Sequence, residues 1–545
     1  MRPLPFFDIN GAIGEPVYSA ATGQFAGYRS ASDLLAEMDR CGVERSLVCH
    51  WEALKVHPAS GNARLIEEAG GHERLLPCWV VLPHYTGEMS RPADLLSRMR
   101  TLGVRAVRLV PHLFGFSLDD WCSGELLAVL EKEHILTIVE ATPAELAFLC
   151  ERFPRLPLAG TDTNLRQMYP LLARYSNLYL SLEGASHPEM VEDVCRRFGP
   201  GRLLFGSQRQ APVFPTGDVV YEPGAWRLGP SLATVAYARV SRKAKEALAG
   251  NTLATLLGLP AGRGMAPQGE GEIIAAGAAG VPVPARVLDA HFHLGPWAYG
   301  HQPGTDVDAA LAMMDAAGVE VACVSSASAV QGGDHYRGNR EVALVCRDHP
   351  DRFVGFGVIN PHFPDTRDEI RRCTELYGFR GLKVHPRTHQ CSLADPKYVP
   401  VWEAAEDPGV LVQAHTGERQ TGASPRAFEE IASRYPRGVF HLVHSGDNLE
   451  GLRVCLDLAS KHPNLYLGTS DVAFMYEGML EHAVRRLGAD RIVFESDCAT
   501  IGLNHSLGIV LFSALSDRDK ALILGGNLAR LLGRGCPDAP AGRSA

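Results

Sequence analysis

The chain is one pattern written twice, and that repetition constrains its fold more than any single motif does. Phe7-Asp8-Ile9-Asn10 returns as Leu288-Asp289-Ala290-His291, and the stretch 33–43 returns as 309–319. Both copies of the longer stretch place apolar residues at helical spacing and then a glycine, Gly42 or Gly318, suited to a helix C-cap. A β-rich run follows in each, Ser46-Leu47-Val48-Cys49 or Val321-Ala322-Cys323-Val324. The match continues through Gly61-Asn62 and Gly338-Asn339, and through Asn177-Leu178-Tyr179-Leu180 and Asn464-Leu465-Tyr466-Leu467. It ends on Gly250-Asn251 against Gly526-Asn527. The offset is 281 residues at the first match and 276 at the last, and stays between 276 and 287 throughout, so two related domains are joined in tandem.

At 545 residues the chain is about twice what one hydrophobic core supports. The expected division is a first domain over 1–258, a linker rich in Gly, Ala and Pro over 259–285, a second domain over 286–536, and a short tail over 537–545. Strands alternate with helices in both halves. Roughly 250 residues with that rhythm predict an α/β fold, one (β/α)8 TIM-type barrel per half, with function at the C-terminal strand ends. A doubly wound open sheet is the alternative. It calls for a Gly-rich phosphate turn, and neither half contains GxGxxG.

A net charge of −9 without any basic run argues against nucleic acid and anionic membranes as partners, and leaves a small-molecule substrate. No stretch approaches the roughly 18 apolar residues of a membrane span, and the first residues lack a signal-peptide core, so a cytoplasmic location is expected. The 13 cysteines show no paired spacing and have mostly apolar neighbours, which suits buried free thiols.

The chemistry concentrates in the second half. His291 and His293 end an apolar run, and on a strand residues two apart share a face about 6.6 Å apart in rise. Further β-rich runs deliver His385, His415, His444 and Asp497 at their C-terminal ends. Neutral imidazoles with one carboxylate are ligand chemistry for zinc or a similar divalent ion, manganese included. A metal lowers the pKa of bound water to about 7, making hydroxide available at neutral pH. Lys383 shares a strand face with His385, which suits either a site role or a structural histidine near the barrel floor. His441, on the other face from His444, is expected to be structural. Arg337, Arg387 and Arg419 are candidates to meet a substrate carboxylate.

The motifs Asp289-Ala290-His291-Phe292-His293, Gly381-Leu382-Lys383-Val384-His385-Pro386, His415-Thr416-Gly417, His444-Ser445-Gly446 and Ser496-Asp497 resemble the metal-dependent amidohydrolase superfamily. The likeness is to its amidohydrolase-related branch, which includes aminocarboxymuconate-semialdehyde decarboxylase-like enzymes. It implies His291, His293, His415 and Asp497 as metal ligands, His444 and Asp497 as the acid/base pair, and Lys383 and His385 beside the substrate. Glu495 departs from the Gly often found before Ser-Asp in that family.

The first half lacks this set. Sequence alignment puts Asn10 at His291, Ala12 at His293, Val110 at His385, Ala141 at His415, Gly160 at His444 and Gln208 at Asp497. The expectation is a barrel that packs on the second as an intramolecular pseudo-dimer, with a ligand pocket around Arg108, His112 and Glu140 as the rival. The leading functional expectation is hydrolysis of a small amide, ester or lactone by metal-bound hydroxide. Non-oxidative decarboxylation of an aromatic or unsaturated carboxylate is the alternative, and a non-catalytic tandem-barrel scaffold the second alternative.

Overall fold

The computed structural model describes residues 2–14, 30–161, 164–182, 187–207, 227–298, 301–470 and 472–533, and the backbone of 17–19 and 24–26. The tail 537–545 and Gln208 lie outside the described residues. Eight strands form the first sheet: β1 Phe6–Ile13, β2 Val43–His50, β3 Leu75–Val80, β4 Ala106–Leu109, β5 Leu136–Val139, β6 Leu158–Gly160, β7 Leu178–Ser181 and β8 Leu203–Leu204. Eight more form the second: β9 Val287–Leu294, β10 Val319–Ser326, β11 Phe353–Val358, β12 Gly381–Val384, β13 Leu411–His415, β14 Val439–Val443, β15 Leu465–Gly468 and β16 Ile492–Val493. Within each sheet every strand pairs in parallel with the next in sequence.

The ends of each sheet meet. Ile9 N–H donates to Phe205 O at 3.0 Å, and Ala290 N–H donates to Phe494 O at 2.9 Å. Two (β/α)8 barrels are the result, and the doubly wound alternative is set aside by the sequential strand order. The helix Ala31–Cys41 starts at Ser30 in a capping box and stops at Gly42, φ 81°. Its counterpart Val307–Ala317 starts at Asp306 and stops at Gly318, φ 73°. Both glycines take the left-handed backbone that the repeat pattern called for.

Short strands alternate two environments. In β12, Leu382 and Val384 pack outward with the helices, while Lys383 points into the barrel. An apolar floor of Leu288, Ala290, Val321, Val354, Phe356 and Leu411 fills the bottom of the second barrel, closed by Leu528 and Leu532. Polar side chains gather above it. The described cysteines are all free thiols, and no described helix is long and apolar enough to cross a membrane.

The segment 259–285, expected as a linker, is held at several points. Gly264 N–H donates to Glu44 Oε2 at 2.8 Å, and Gln268 N–H to Asp39 O at 2.8 Å. It contains a helix, Glu272–Ala279, whose first N–H donates to Asp517 Oδ2 at 2.7 Å and whose Ile273 and Ile274 are buried. The run Ala275-Ala276-Gly277-Ala278-Ala279 is too uniform to show helical periodicity, so only its contacts reveal it.

The barrels touch through matching elements. Helix Gly229–Ala236 lies against helix Leu503–Leu511, where a Cβ on either Gly229 or Gly508 would run into the other's carbonyl oxygen. Arg227 Nη2 lies 2.7 Å from Glu481 Oε2, and its Nη1 donates to Ile509 O at 3.2 Å. Near the second barrel's mouth, Arg166 donates to Ala298 O at 3.1 Å, and Tyr169 meets His301 edge-on at 5.9 Å.

Candidate metal centre

His291 and His293 leave β9 toward the barrel mouth, and both are buried. Their Nε2 atoms lie 3.2 and 3.3 Å from Asp497 Oδ1. His444 comes in from the end of β14, so that donor atoms of His291, His444 and Asp497 all fall within 4.8 Å of one another. His444 and Asp497 reach the site on left-handed backbone, with φ of 65° and 56°. Non-glycine residues take that conformation seldom, and it collects at functional sites. Asp497 N–H donates to His291 O at 3.0 Å, so the bond that helps close the barrel also aims the carboxylate.

Each imidazole is oriented from behind. His291 Nδ1 lies 3.1 Å from Gln413 Oε1, and the amide nitrogen of Gln413 donates to Ala290 O. An amide oxygen only accepts, so His291 carries its proton on Nδ1 and offers the Nε2 lone pair to the centre. His293 Nδ1 meets Ser325 Oγ at 3.0 Å, and His444 Nδ1 meets Ser470 Oγ at 2.9 Å.

Burial pushes His291 well below the ordinary histidine range, with Lys383 adding to the effect, and burial lowers His293 as well. Asp497 goes the opposite way from what burial favours. Its desolvation is outweighed by the neighbouring His444, His291 and His293 rings, which hold the carboxyl well below the usual carboxylate range. Uncharged imidazoles around a charged carboxylate are the donor set a divalent cation requires, so the residues fit such an ion. Lys383 Nζ lies 3.3 Å from His291 Nε2, and burial lowers this amine to about 8 against the pull of Asp497 and Glu495.

His415 sits differently from the expected ligand set. Its Nε2 is 2.6 Å from Gln420 Oε1, and Gln420 in turn donates to Asp447 Oδ2 at 2.6 Å. Its Nδ1 is buried with no hydrogen-bond partner, which leaves that atom as the one suited to a metal. His385 stacks on His415 with ring centroids 4.0 Å apart, at the strand ends rather than near the floor. His441 does lie deeper, its Nε2 2.8 Å from Glu495 Oε2.

The three candidate arginines are exposed. Arg337, on helix His335–Asp348, is 78% exposed and pairs with Glu341 one turn on, so it faces solvent rather than substrate. Arg419 lies 3.6 Å from Glu450, and Arg387 is exposed. Gln413, Ser325, Ser470 and Gln420 were not foreseen from sequence, since nothing in a lone serine or glutamine marks it as a histidine's partner.

The first barrel corrects two alignments. Val139 pairs with Leu109 as Ala414 pairs with Val384, so Glu140, not Ala141, stands at the place of His415. Gly160 pairs with Val139 as Leu442 pairs with Ala414, so the counterpart of His444 is residue 162, outside the described residues. Arg108, at the place of Lys383, puts Nη1 2.9 Å from Glu140 Oε1 and its other arm on Asn10 Oδ1. A guanidinium thus lies among the positions that hold donors in the second barrel. His112 is outside this group, on the surface against Glu145.

A closed parallel barrel with a buried imidazole and carboxylate cluster at its strand ends is an arrangement that could hold a metal ion. Residues 288–534 match the family model described as amidohydrolase, and the second barrel belongs to that family. The chain is 24% identical over 283 residues to a gamma-resorcylate decarboxylase of Rhizobium sp. (strain MTP-10005), covering 41% of this chain and 86% of the relative. It is 30% identical over 81 residues to a 2-amino-3-carboxymuconate-6-semialdehyde decarboxylase of Dictyostelium discoideum, covering 15% of this chain and only 23% of that relative. Among solved structures it resembles a 2,6-dihydroxybenzoate decarboxylase from Rhizobium at 22% identity and a TM-score of 0.40, covering 46% of this chain and 99% of that one.

Proposed function

We propose that the second barrel catalyses metal-dependent, non-oxidative decarboxylation of an aromatic or unsaturated carboxylate. The observation that carries this over the hydrolytic expectation is the match to a decarboxylase along 86% of that relative's length. His291, His293 and Asp497 would hold the ion, with His415 Nδ1 as a further donor, and zinc or manganese suits that set. When bound, the ion supplies positive charge to a substrate oxygen next to the bond that breaks.

The remaining chemistry belongs to the side chains. Cleavage of the carbon–carboxylate bond leaves its electron pair on the ring or alkenyl carbon, releases CO2, and requires one proton at that carbon. His444 is placed to take a proton at Nε2 and pass it there. Lys383, buried and cationic beside His291, anchors the negative substrate. The first barrel, in this proposal, takes the place of a second subunit and packs against the rim of the working one.

The test is to load the full chain with manganese or zinc and incubate it in D2O with hydroxybenzoates, lactones and amides. The expected result is CO2 release with one deuterium at the former carboxyl carbon. Hydrolysis of a lactone, ester or amide with no CO2 from any carboxylate would overturn the proposal. Expressing 259–545 alone tests the partner role: the fragment is expected to be insoluble or poorly active, and a soluble, fully active fragment would refute it.

A further inference from the structure

Glu495 stands where the likeness to other barrels leads one to expect glycine, and the first barrel has glycine there, Gly206. Room for the larger side chain comes from the neighbouring strand. A Cβ on Gly468 would collide with the Glu495 carboxylate, whereas in the first barrel the pair is reversed, with Ser181 at the place of Gly468 and its hydroxyl against Gly206. The two barrels thus carry matched pairs with opposite assignments, and only the second encloses a carboxylate.

Three donors converge on one oxygen of that carboxylate. His444 N–H donates to Glu495 Oε1 at 2.8 Å, Ser470 N–H donates to it at 3.2 Å, and the Ser470 hydroxyl reaches it at 2.6 Å. An oxygen already receiving two backbone N–H groups acts as an acceptor, so the hydroxyl hydrogen of Ser470 is spent on it. What Ser470 has left for His444 Nδ1, 2.9 Å away, is a lone pair. That requires a proton on Nδ1, so in the neutral ring the lone pair is on Nε2.

We propose that Glu495 is a positioning residue which, through Ser470, locks His444 in the Nδ1-protonated tautomer with its Nε2 lone pair facing the reacting centre. The same backbone bond from His444 N–H fixes the left-handed turn that carries the ring. A proton taken up at Nε2 then produces an imidazolium whose other N–H already has an acceptor, so the charge forms in a prepared place. Glu495 does not touch substrate. It acts on the reaction only through the histidine, and the inference rests on the proposed role of His444 for its catalytic consequence but not for the tautomer itself.

The tautomer is measured directly, on the chelator-treated full chain with 15N-labelled histidine, assigning the His444 signals by their loss in His444→Gln. The expected spectrum shows His444 Nδ1 protonated and Nε2 unprotonated. In Ser470→Ala the single tautomer is expected to give way to a mixture, and in Ser470→Thr, which keeps the hydroxyl, to return. If the metal-loaded protein decarboxylates a substrate, Ser470→Ala is expected to lower kcat about tenfold with little change in KM. A wild-type His444 protonated on Nε2 would overturn the inference, as would an unchanged tautomer in a folded Ser470→Ala; if that variant does not fold, the wild-type spectrum decides alone. The predicted tautomer without any CO2 release would refute the decarboxylase proposal and leave this one standing.

Discussion

Replacing Arg227 by methionine tests how firmly the two barrels are bound to each other. The guanidinium is 2% exposed and its partner Glu481 13% exposed, so the pair is buried where the barrels meet. Burial alone would raise the Glu481 pKa, but Arg227, together with the Ala514 N–H, brings it down from 4.5 to about 2. A carboxyl held that far below its ordinary value corresponds to about 3 kcal/mol of stability. Removing one partner of a buried pair costs about 3–5 kcal/mol, which agrees. For a domain of roughly 250 residues that loss lowers Tm by roughly 6 to 12 °C.

The sign with pH follows from the depressed carboxyl. Its contribution is fully present above about pH 4.5 and disappears as the pH falls toward 2. Thermal melts of the wild type, Arg227→Met and Glu481→Gln at neutral pH should therefore separate widely, and the differences should shrink steadily below pH 4.5. A melting temperature for Arg227→Met within 1 °C of wild type at pH 7 would refute the reasoning. So would a difference that stays constant down to pH 3.

Two further outcomes follow from single contacts. Gly508→Ala drives a methyl group into the backbone of Gly229 and should destabilise the full chain by about 1–3 kcal/mol in denaturant titration, while Gly533→Ala, with open space around it, should not act through packing. Arg108→Ala leaves Glu140 buried without its cation and should destabilise the first barrel by about 3–5 kcal/mol in the same titration, with no change in metal affinity measured by calorimetry.

The barrel rhythm was legible because its carriers are local. Gly42 and Gly318 end equivalent helices, and runs such as Ser46-Leu47-Val48-Cys49 carry the β-branched and apolar residues that suit a strand. His291 and His293 share a face because strand alternation leaves no other choice. What the residues could not show depends on long-range register and on backbone aim. The apolar runs starting at Leu136 and at Val410-Leu411 can be matched in two ways one residue apart, and only their pairing with the preceding strands selects Glu140 over Ala141. The turn of His415 toward Gln420, five residues on, is set by a loop. The left-handed backbone at His444 and Asp497 leaves no compositional trace, since neither is glycine. Glu495 was visible as a departure from pattern, but its purpose depends on Ser470 and Gly468, which only the folded strands bring beside it.

The central claim is that one barrel holds the metal and the other does not. Metal content after loading and desalting, measured on the wild type, Asp497→Ala, His291→Ala and Arg108→Ala, tests it most directly. The account predicts retained divalent metal in the wild type and in Arg108→Ala, and loss in both second-barrel variants. Metal retained at wild-type levels in Asp497→Ala and His291→Ala would contradict it.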